Sequence, residues 1–187
     1  MKKVISLLYL LFLVTACFSQ QTESDSSKLL DEVTVRAFEQ NRKLNSTVTA
    51  VKFIEFNNAD RYNKTSLVNG FNTVAGVRME ERSPGSYRIN IRGSSLRSPF
   101  GVRNVKVYWN DIPITDAGGN TYFNQFTGNN FSYIEILKGP AGSMYGAGTG
   151  GLILMHTLSP WQRGVSAEYL TGSYNLQNIF ASVRFGK

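Results

Sequence analysis

The sequence predicts an α+β domain with a short mixed β-sheet, one or two short helices and long loops, followed by a hairpin of a different kind. Three observations predict it. Short runs of β-branched and aromatic residues are separated by clusters of Gly, Pro, Asn and Ser, and one stretch carries apolar residues at helical spacing. Beyond Pro160-Trp161, two alternating runs of about nine residues each present one apolar face. The strands alternate with loops instead of full crossover helices, which disfavours a doubly wound sheet.

The chain opens with Met1-Lys2-Lys3, an apolar run from Val4 to Val14 broken only by Ser6, and small residues up to Ser19. A basic start and an apolar core too short to span a bilayer comfortably predict a cleaved export signal over residues 1–19. The competing reading takes Val14-Thr15-Ala16-Cys17 as a lipoprotein box with Cys17 lipidated. Cys17 is the only cysteine, so the mature chain is expected to hold neither a disulfide nor a thiolate metal site, which suits a bacterial envelope protein. Residues 20–28 are too polar to bury a core and read as a tail. In Leu29 to Ala37, Val33 and Val35 alternate with Thr34 and Arg36, which predicts a short extended segment; an ordinary edge strand fits the same pattern.

Thr47 to Phe56 is β-branched and aromatic and predicts a strand, ended by Asn57 to Asp60. From Thr65 to Val74, Leu67, Val68, Phe71 and Val74 fall at helical spacing, with Thr65 or Ser66 to cap the start and Gly76 to stop it. Further strands are expected at Tyr87 to Arg92, Val105 to Trp109, Tyr133 to Leu137 and Leu152 to Thr157. In the last part Val165, Ala167 and Tyr169 alternate with Ser166, Glu168 and Leu170. After a turn over residues 171–175, Ile179, Ala181, Val183 and Phe185 share one face, with Ser182 and Arg184 on the other. That is the size and pattern of a transmembrane β-hairpin, although a soluble hairpin with one buried face has the same pattern. Two strands leave unpaired outer edges, so on the barrel reading this hairpin is part of a truncated barrel.

The formal charge is +7, or +5 once Lys2 and Lys3 are removed. Export makes nucleic acid the least fitting partner for this moderately basic balance, and no basic run exceeds two residues; scattered solvated charges and a polar interface within a larger assembly remain. Gly146 to Gly151 satisfies GxGxxG, but a strand and not a helix follows it, so nothing is placed to bind a pyrophosphate. The glycines of residues 139–151 instead permit tight turns and close backbone approach. His156 is the only histidine and reads as structural; Asp111 and Asp116 read as turn formers. No catalytic set, metal site or cofactor is expected, and the chain does not read as an enzyme.

Taken in order, several motifs resemble the plug domain of TonB-dependent outer-membrane receptors, from about Leu30 to Thr157 and on into the first barrel strands. Ala75-Gly76-Val77 is similar to the family's "pGV", Ile91-Arg92-Gly93 to its IRG, and Val107 to Pro113 to its "vDGiP" loop. Ile134 to Pro140 is similar to "IEVlrGP", and Tyr145-Gly146 with Gly150-Gly151-Leu152-Ile153 to "YG…GGvI". Lys138 stands where the family usually has Arg, Gly142 where Ser is common, and Asn110-Asp111 where Asp-Gly is usual. The Lys keeps the charge but loses the planar fork, which weakens a bidentate pair with a carboxylate. The motif turns are carried by Gly93, Asp111, Pro113, Gly139, Pro140, Tyr145, Gly146, Gly150 and Gly151.

The resemblance implies a signal peptide (1–19), a flexible periplasmic tail with a TonB box (20–37), a plug (38–158) and the first two strands of a barrel (159–187). Asp31, Glu32, Val33, Thr34, Val35, Arg36 and Ala37 are similar to the TonB box, which pairs as an added strand with TonB and its inner-membrane energising complex. A barrel of about 22 strands is an open pore that a domain in its lumen closes. Arg92, Arg97 and Lys138 are expected to face carboxylates of the barrel wall. The loops Arg82 to Tyr87, Ser94 to Val102 and Thr115 to Thr127 are expected to face ligand, with Arg82, Tyr87, Arg97, Phe100, Tyr122 and Phe123 as its first contacts. The implied function is TonB-gated uptake of a metal-siderophore, haem or cobalamin-like ligand across the bacterial outer membrane. A glycan-importing receptor is not expected, since the tail runs directly into the box and GPAGSMYG…GGLI stands where that subfamily's signature resembles "AAIYG…ANGVI". Two other readings stay open: a plug-like periplasmic or lipid-anchored binding module, and a receptor fragment without function.

Overall fold

The computed structural model describes residues 34–35, 42–56, 64–94, 102, 104–146, 148–157 and 163–185. The chain divides into a unit at Met1–Glu32 and a unit at Val33–Lys187, and the described residues all belong to the second. The expected export signal, the tail, the strand-ending stretch Asn57 to Asp60 and the change of character at Pro160-Trp161 lie outside the described residues.

Five strands form a mixed sheet. They are β3 (Val51–Glu55), β6 (Val105–Trp109), β7 (Ile112–Pro113), β8 (Tyr133–Leu137) and β9 (Gly151–His156), in the order β3-β8-β9-β6-β7. The pairs β3/β8, β8/β9 and β6/β7 are antiparallel, whereas β6 and β9 run parallel with Val107 opposite Ile153. β9 has neighbours on both edges and cover on both faces, which is why its sequence GLILMH is a continuous buried run instead of an alternation. The larger apolar layer puts Ile54, Ile134, Ile136, Ile153, Met155, Val105 and Val107 against Phe71, Met79, Ile89, Ile91 and Phe123. On the opposite face a smaller cluster joins Val51, Leu137, Ala141, Leu152 and Leu154.

The strand expected from Thr47 begins only at Val51. Before it, Leu44–Ser46 form a 3-10 turn in which the Ser46 and Thr47 hydroxyls both donate to the Lys43 carbonyl, at 2.9 and 3.1 Å. Such side-chain bonds offer the backbone an alternative to the ladder. The expected helix is α1 (Val68–Asn72), with the Ser66 hydroxyl accepting from the Val68 amide and Gly76 at φ 77° beyond its end. Its last residue clamps the next strand, since the Asn72 amide group exchanges two hydrogen bonds with the Met79 backbone at 2.8 and 3.0 Å.

That strand, β4 (Val77–Ser83), was not among the expected ones. It pairs antiparallel with β5 (Ser86–Ile91) through a turn at Pro84-Gly85. The stretch Arg82 to Tyr87, expected as a loop, is therefore the end of a hairpin with an irregular register between Glu81 and Ser83. A second correction concerns Phe123. Expected on a ligand-facing loop, it is 1% exposed and meets Phe71 edge-on with ring centres 6.0 Å apart, so its loop serves as a lid on the core. Between β6 and β7, Asn110 and Asp111 occupy left-handed positions at φ 45° and 68°, as a two-residue hairpin turn requires, and Asp111 is the turn former the sequence suggests. A second short helix, α2 (Gly142–Tyr145), falls inside the glycine-rich segment.

The last two strands, β10 (Gly164–Gly172) and β11 (Leu176–Arg184), have nine residues each and form a separate two-stranded sheet. Val165 faces Val183, Ala167 faces Ala181 and Tyr169 faces Ile179, which puts the expected apolar set on one face. That face is open: Val165 and Ile179 are each 79% exposed. The other face holds Ser166 and Ser182, joined hydroxyl to hydroxyl at 2.7 Å, together with Glu168 and half-buried Phe180 and Arg184.

Candidate functional site

Four turns far apart in the sequence meet at one end of the five-stranded sheet. Ile91 ends β5, and Arg92 and Gly93 then take left-handed angles of 50° and 83°, reversing the chain. The Arg92 amide donates to the Gly76 carbonyl at 2.9 Å, and its guanidinium donates to the Lys138 carbonyl at 2.9 Å. Lys138, directly after β8, returns its ammonium to the Ala75 carbonyl. Gly150 donates to the Asn104 carbonyl at 2.7 Å, and Asn104 donates to Ser94 at 2.7 Å. Thus the Ala75-Gly76, Ile91-Arg92-Gly93, Lys138-Gly139 and Gly150-Gly151 motifs are a single junction.

Glycine is required at Gly150 and Gly151 for steric reasons. A Cβ on Gly150 would lie 2.5 Å from the Ser94 Cβ and 3.0 Å from the Asn104 carbonyl oxygen; one on Gly151 would lie 2.6 Å from the Leu137 carbonyl oxygen. All three distances fall inside ordinary contact range. Gly139 and Gly146 have positive φ in open space, so their need is conformational. Tyr145 packs its ring on Tyr108, whose hydroxyl donates to the Tyr145 carbonyl at 3.3 Å.

The junction is electropositive. Burial, then the charges of Arg92 and Lys52, push the Lys138 ammonium below its ordinary pKa of 10.5. Among the described residues Arg92 and Lys138 are bonded to main-chain carbonyls, and neither meets a carboxylate. The structure brings these two expected cations together; the third, Arg97, lies outside the described residues, as does Phe100.

Of the other expected ligand contacts, Tyr122 is 59% exposed and Arg82 is exposed on the hairpin end. Tyr87 is half-buried against the core, and burial together with Glu81 raises its phenol above 10.0. A Cβ on Gly85 would sit 3.3 Å from the Asn124 Cβ, so the Pro84-Gly85 turn and the loop Thr115 to Thr127 adjoin in one surface. Pro113 ends β7 on an exposed edge, where its missing amide costs nothing.

Of the extended N-terminal segment, Thr34 and Val35 are described. They form β1, which pairs antiparallel with β2 (Arg42–Lys43), and Val35 is buried against Val51, Leu137 and Leu152. Asp31, Glu32, Val33, Arg36 and Ala37 lie outside the described residues. His156 is buried as expected and stacks on Tyr133 at 4.5 Å. Its Nε2 lies 3.6 Å from the fully buried Glu135 carboxylate, which the sequence reading did not single out. The signal was the Ile134-Glu135-Ile136 alternation, which sends Glu135 to the face opposite the larger core layer.

A family model described as the TonB-dependent Receptor Plug Domain matches residues 40–152. Solved structures with the same fold include the ferric yersiniabactin uptake receptor FyuA from Yersinia pestis, at 21% identity and a TM-score of 0.57 over 70% of this chain and 20% of that one. FpvA of P. aeruginosa, solved bound to heterologous pyoverdines, matches at 17% identity and a TM-score of 0.62 over 78% of this chain and 19% of that one. The copper transporter OprC matches at 14% identity and a TM-score of 0.50, over 72% of this chain and 22% of that one. The chain thus spans about a fifth of the length of these receptors.

Proposed function

Since the chain belongs to the TonB-dependent receptor plug domain family, whose members are transport proteins rather than enzymes, we propose that it supplies the plug and first wall strands of an outer-membrane receptor. The cargo we assign is a metal-siderophore or a haem- or cobalamin-like ligand. Asp31 to Ala37 act as the strand handed to TonB, the exposed residues Arg82 and Tyr122 meet ligand, and the Arg92-Lys138 junction meets wall carboxylates.

The observation that carries this reading is the two-faced hairpin beside the packed domain. Its Val165, Tyr169, Ile179 and Val183 side chains form an exposed apolar row, while the opposite face is mixed and mostly polar, with Ser166, Ser182, Glu168 and Arg184 beside Phe180. An apolar outer band with a polar inner face is what a barrel wall in lipid requires. A domain seated in the lumen must be held by contacts that can break, and two cations bonded only to carbonyls among the described residues suit pairing with carboxylates.

The test is a proline at Val33 or Val35 in the full-length receptor. Proline removes a ladder donor, so energised uptake should be abolished while surface binding of a ferric siderophore is retained. Uptake that continues at the parental rate would refute the TonB-box assignment.

A further inference from the structure

Among the described residues, an ion pair joins the packed domain to the hairpin. Lys64 Nζ lies 2.7 Å from Glu168 Oε2, joining residues 104 positions apart, with the Lys side chain 16% exposed and the Glu 34%. On the domain side Lys64 is tied to the core through its backbone. The Lys64 carbonyl accepts the Gly128 amide at 2.7 Å, and Gly128 is pressed so closely on Phe56 that a Cβ there would come within 2.8 Å of the ring. Phe56 is in turn bonded to Ser132 and buried in the larger core layer. On the hairpin side, Glu168 stands in the middle of β10, opposite Phe180, on the face turned away from the exposed apolar row.

We propose that Lys64–Glu168 is a breakable tie seating the plug on the first wall strand, a contact that must open when the plug moves. The inference rests on reading β10 and β11 as wall strands. Its chemistry fits a tie and not a permanent weld: with side chains 16% and 34% exposed, the pair is shielded enough to be held in position, yet water still reaches the charges and can hydrate them when the contact opens. It also orients β10, because fixing Glu168 toward the plug leaves Val165, Ala167 and Tyr169 no choice but to face outward.

The experiment uses the full-length receptor in outer membranes. The single reversals K64E and E168K place like charges together, and the swap K64E/E168K restores the pair with opposite polarity. Passive leak, read as entry of a large antibiotic excluded by intact outer membranes, should rise several-fold in each single variant and return toward the parental value in the swap. A swap as leaky as the singles, or singles that do not leak, overturns the tie. The second arm bridges K64C and E168C with a reducible bifunctional thiol reagent. Uptake of a ferric siderophore should stop on bridging, with surface binding intact, and resume on reduction; bridged receptor that transports as fast as unbridged overturns the claim that the contact opens. If reversal keeps the receptor out of the membrane, the cysteine pair decides the matter alone. A parental receptor that shows no energised uptake would defeat the proposed function instead, and the leak measurements would still judge the tie.

Discussion

The tightest contact in the motif junction gives the sharpest stability prediction, G150A. The added methyl would sit 2.5 Å from the Ser94 Cβ and 2.7 Å from its Oγ, far closer than ordinary contact, so Ser94 or the backbone must move. Overpacking of this kind costs about 1–3 kcal/mol. Displacing Ser94 also endangers the bond from the Ile91 amide to its hydroxyl, 3.1 Å long, worth about 0.5–1.5 kcal/mol. The sum, about 2–4 kcal/mol, should lower the melting temperature of the purified chain by roughly 5–15 °C. S94G removes both clashing atoms, so adding G150A to S94G should cost only about 1–2 kcal/mol, a coupling of about 1–2 kcal/mol relative to G150A alone. A residue of the clash stays in the double variant, since the Asn104 carbonyl oxygen remains 3.0 Å from the new methyl. Strict additivity of the two substitutions would refute the reasoning, because it would mean that Ser94 and Gly150 do not share the space assigned to them.

Three further outcomes are expected. Because the fold lowers the Lys138 pKa, the unfolded chain holds that proton longer, and stability should rise as pH climbs from the folded pKa toward 10.5; urea midpoints from neutral pH to about pH 10 should show the rise, and K138M should flatten it. F123A should cost about 3–5 kcal/mol of stability by emptying a core site, seen as a lower urea midpoint, and a variant as stable as the parent would contradict its placement against Phe71. In the full receptor, I179R on the open apolar face should impair membrane insertion, by about 2–4 kcal/mol if Ile179 lies near the bilayer midplane, whereas S182R on the opposite face should insert; the assay is the heat-modifiable migration of the folded barrel.

What could be read from the sequence was what local periodicity encodes. Val105–Trp109 and Tyr133–Leu137 appear where their alternation puts them, and the hairpin strands carry the apolar and polar faces that Val165 to Phe185 prescribe. β4 escaped because only Val77 and Met79 point inward, and Glu81 and Arg82 extend it as a polar arm that looks like a loop. Phe123 escaped for a different reason: a residue in a loop is buried by the tertiary path of that loop, which no local pattern specifies. The junction shows the same limit. Each of its motifs was visible, but Ser94 meets Gly150 only because β6 and β9 pair in parallel and bring Asn104 beside the start of β9, and that contact belongs to the topology.

The topology also links the two ends of the proposed mechanism. Val35 shares a cluster with Val51, Leu137 and Leu152, and the residue after Leu137 is Lys138, whose ammonium reaches Ala75 and whose carbonyl holds Arg92. If the N-terminal segment is handed to a partner strand, β1 must first leave β2 and Val35 must leave Leu137. Uncovering one valine costs about 1.5–3 kcal/mol, and the two-residue ladder to β2 adds little more. The five-stranded sheet beneath it is held by full ladders and two buried faces, so a pull applied at Val35 meets its weakest resistance at the β1 contact. The next residues to lose cover are Leu137 and Leu152, which lead directly into the Lys138 and Gly150-Gly151 turns. Force entering at the segment therefore reaches the cationic junction before it reaches the larger core layer of Phe71 and Ile153, and the junction is where contacts to a surrounding wall would be given up first.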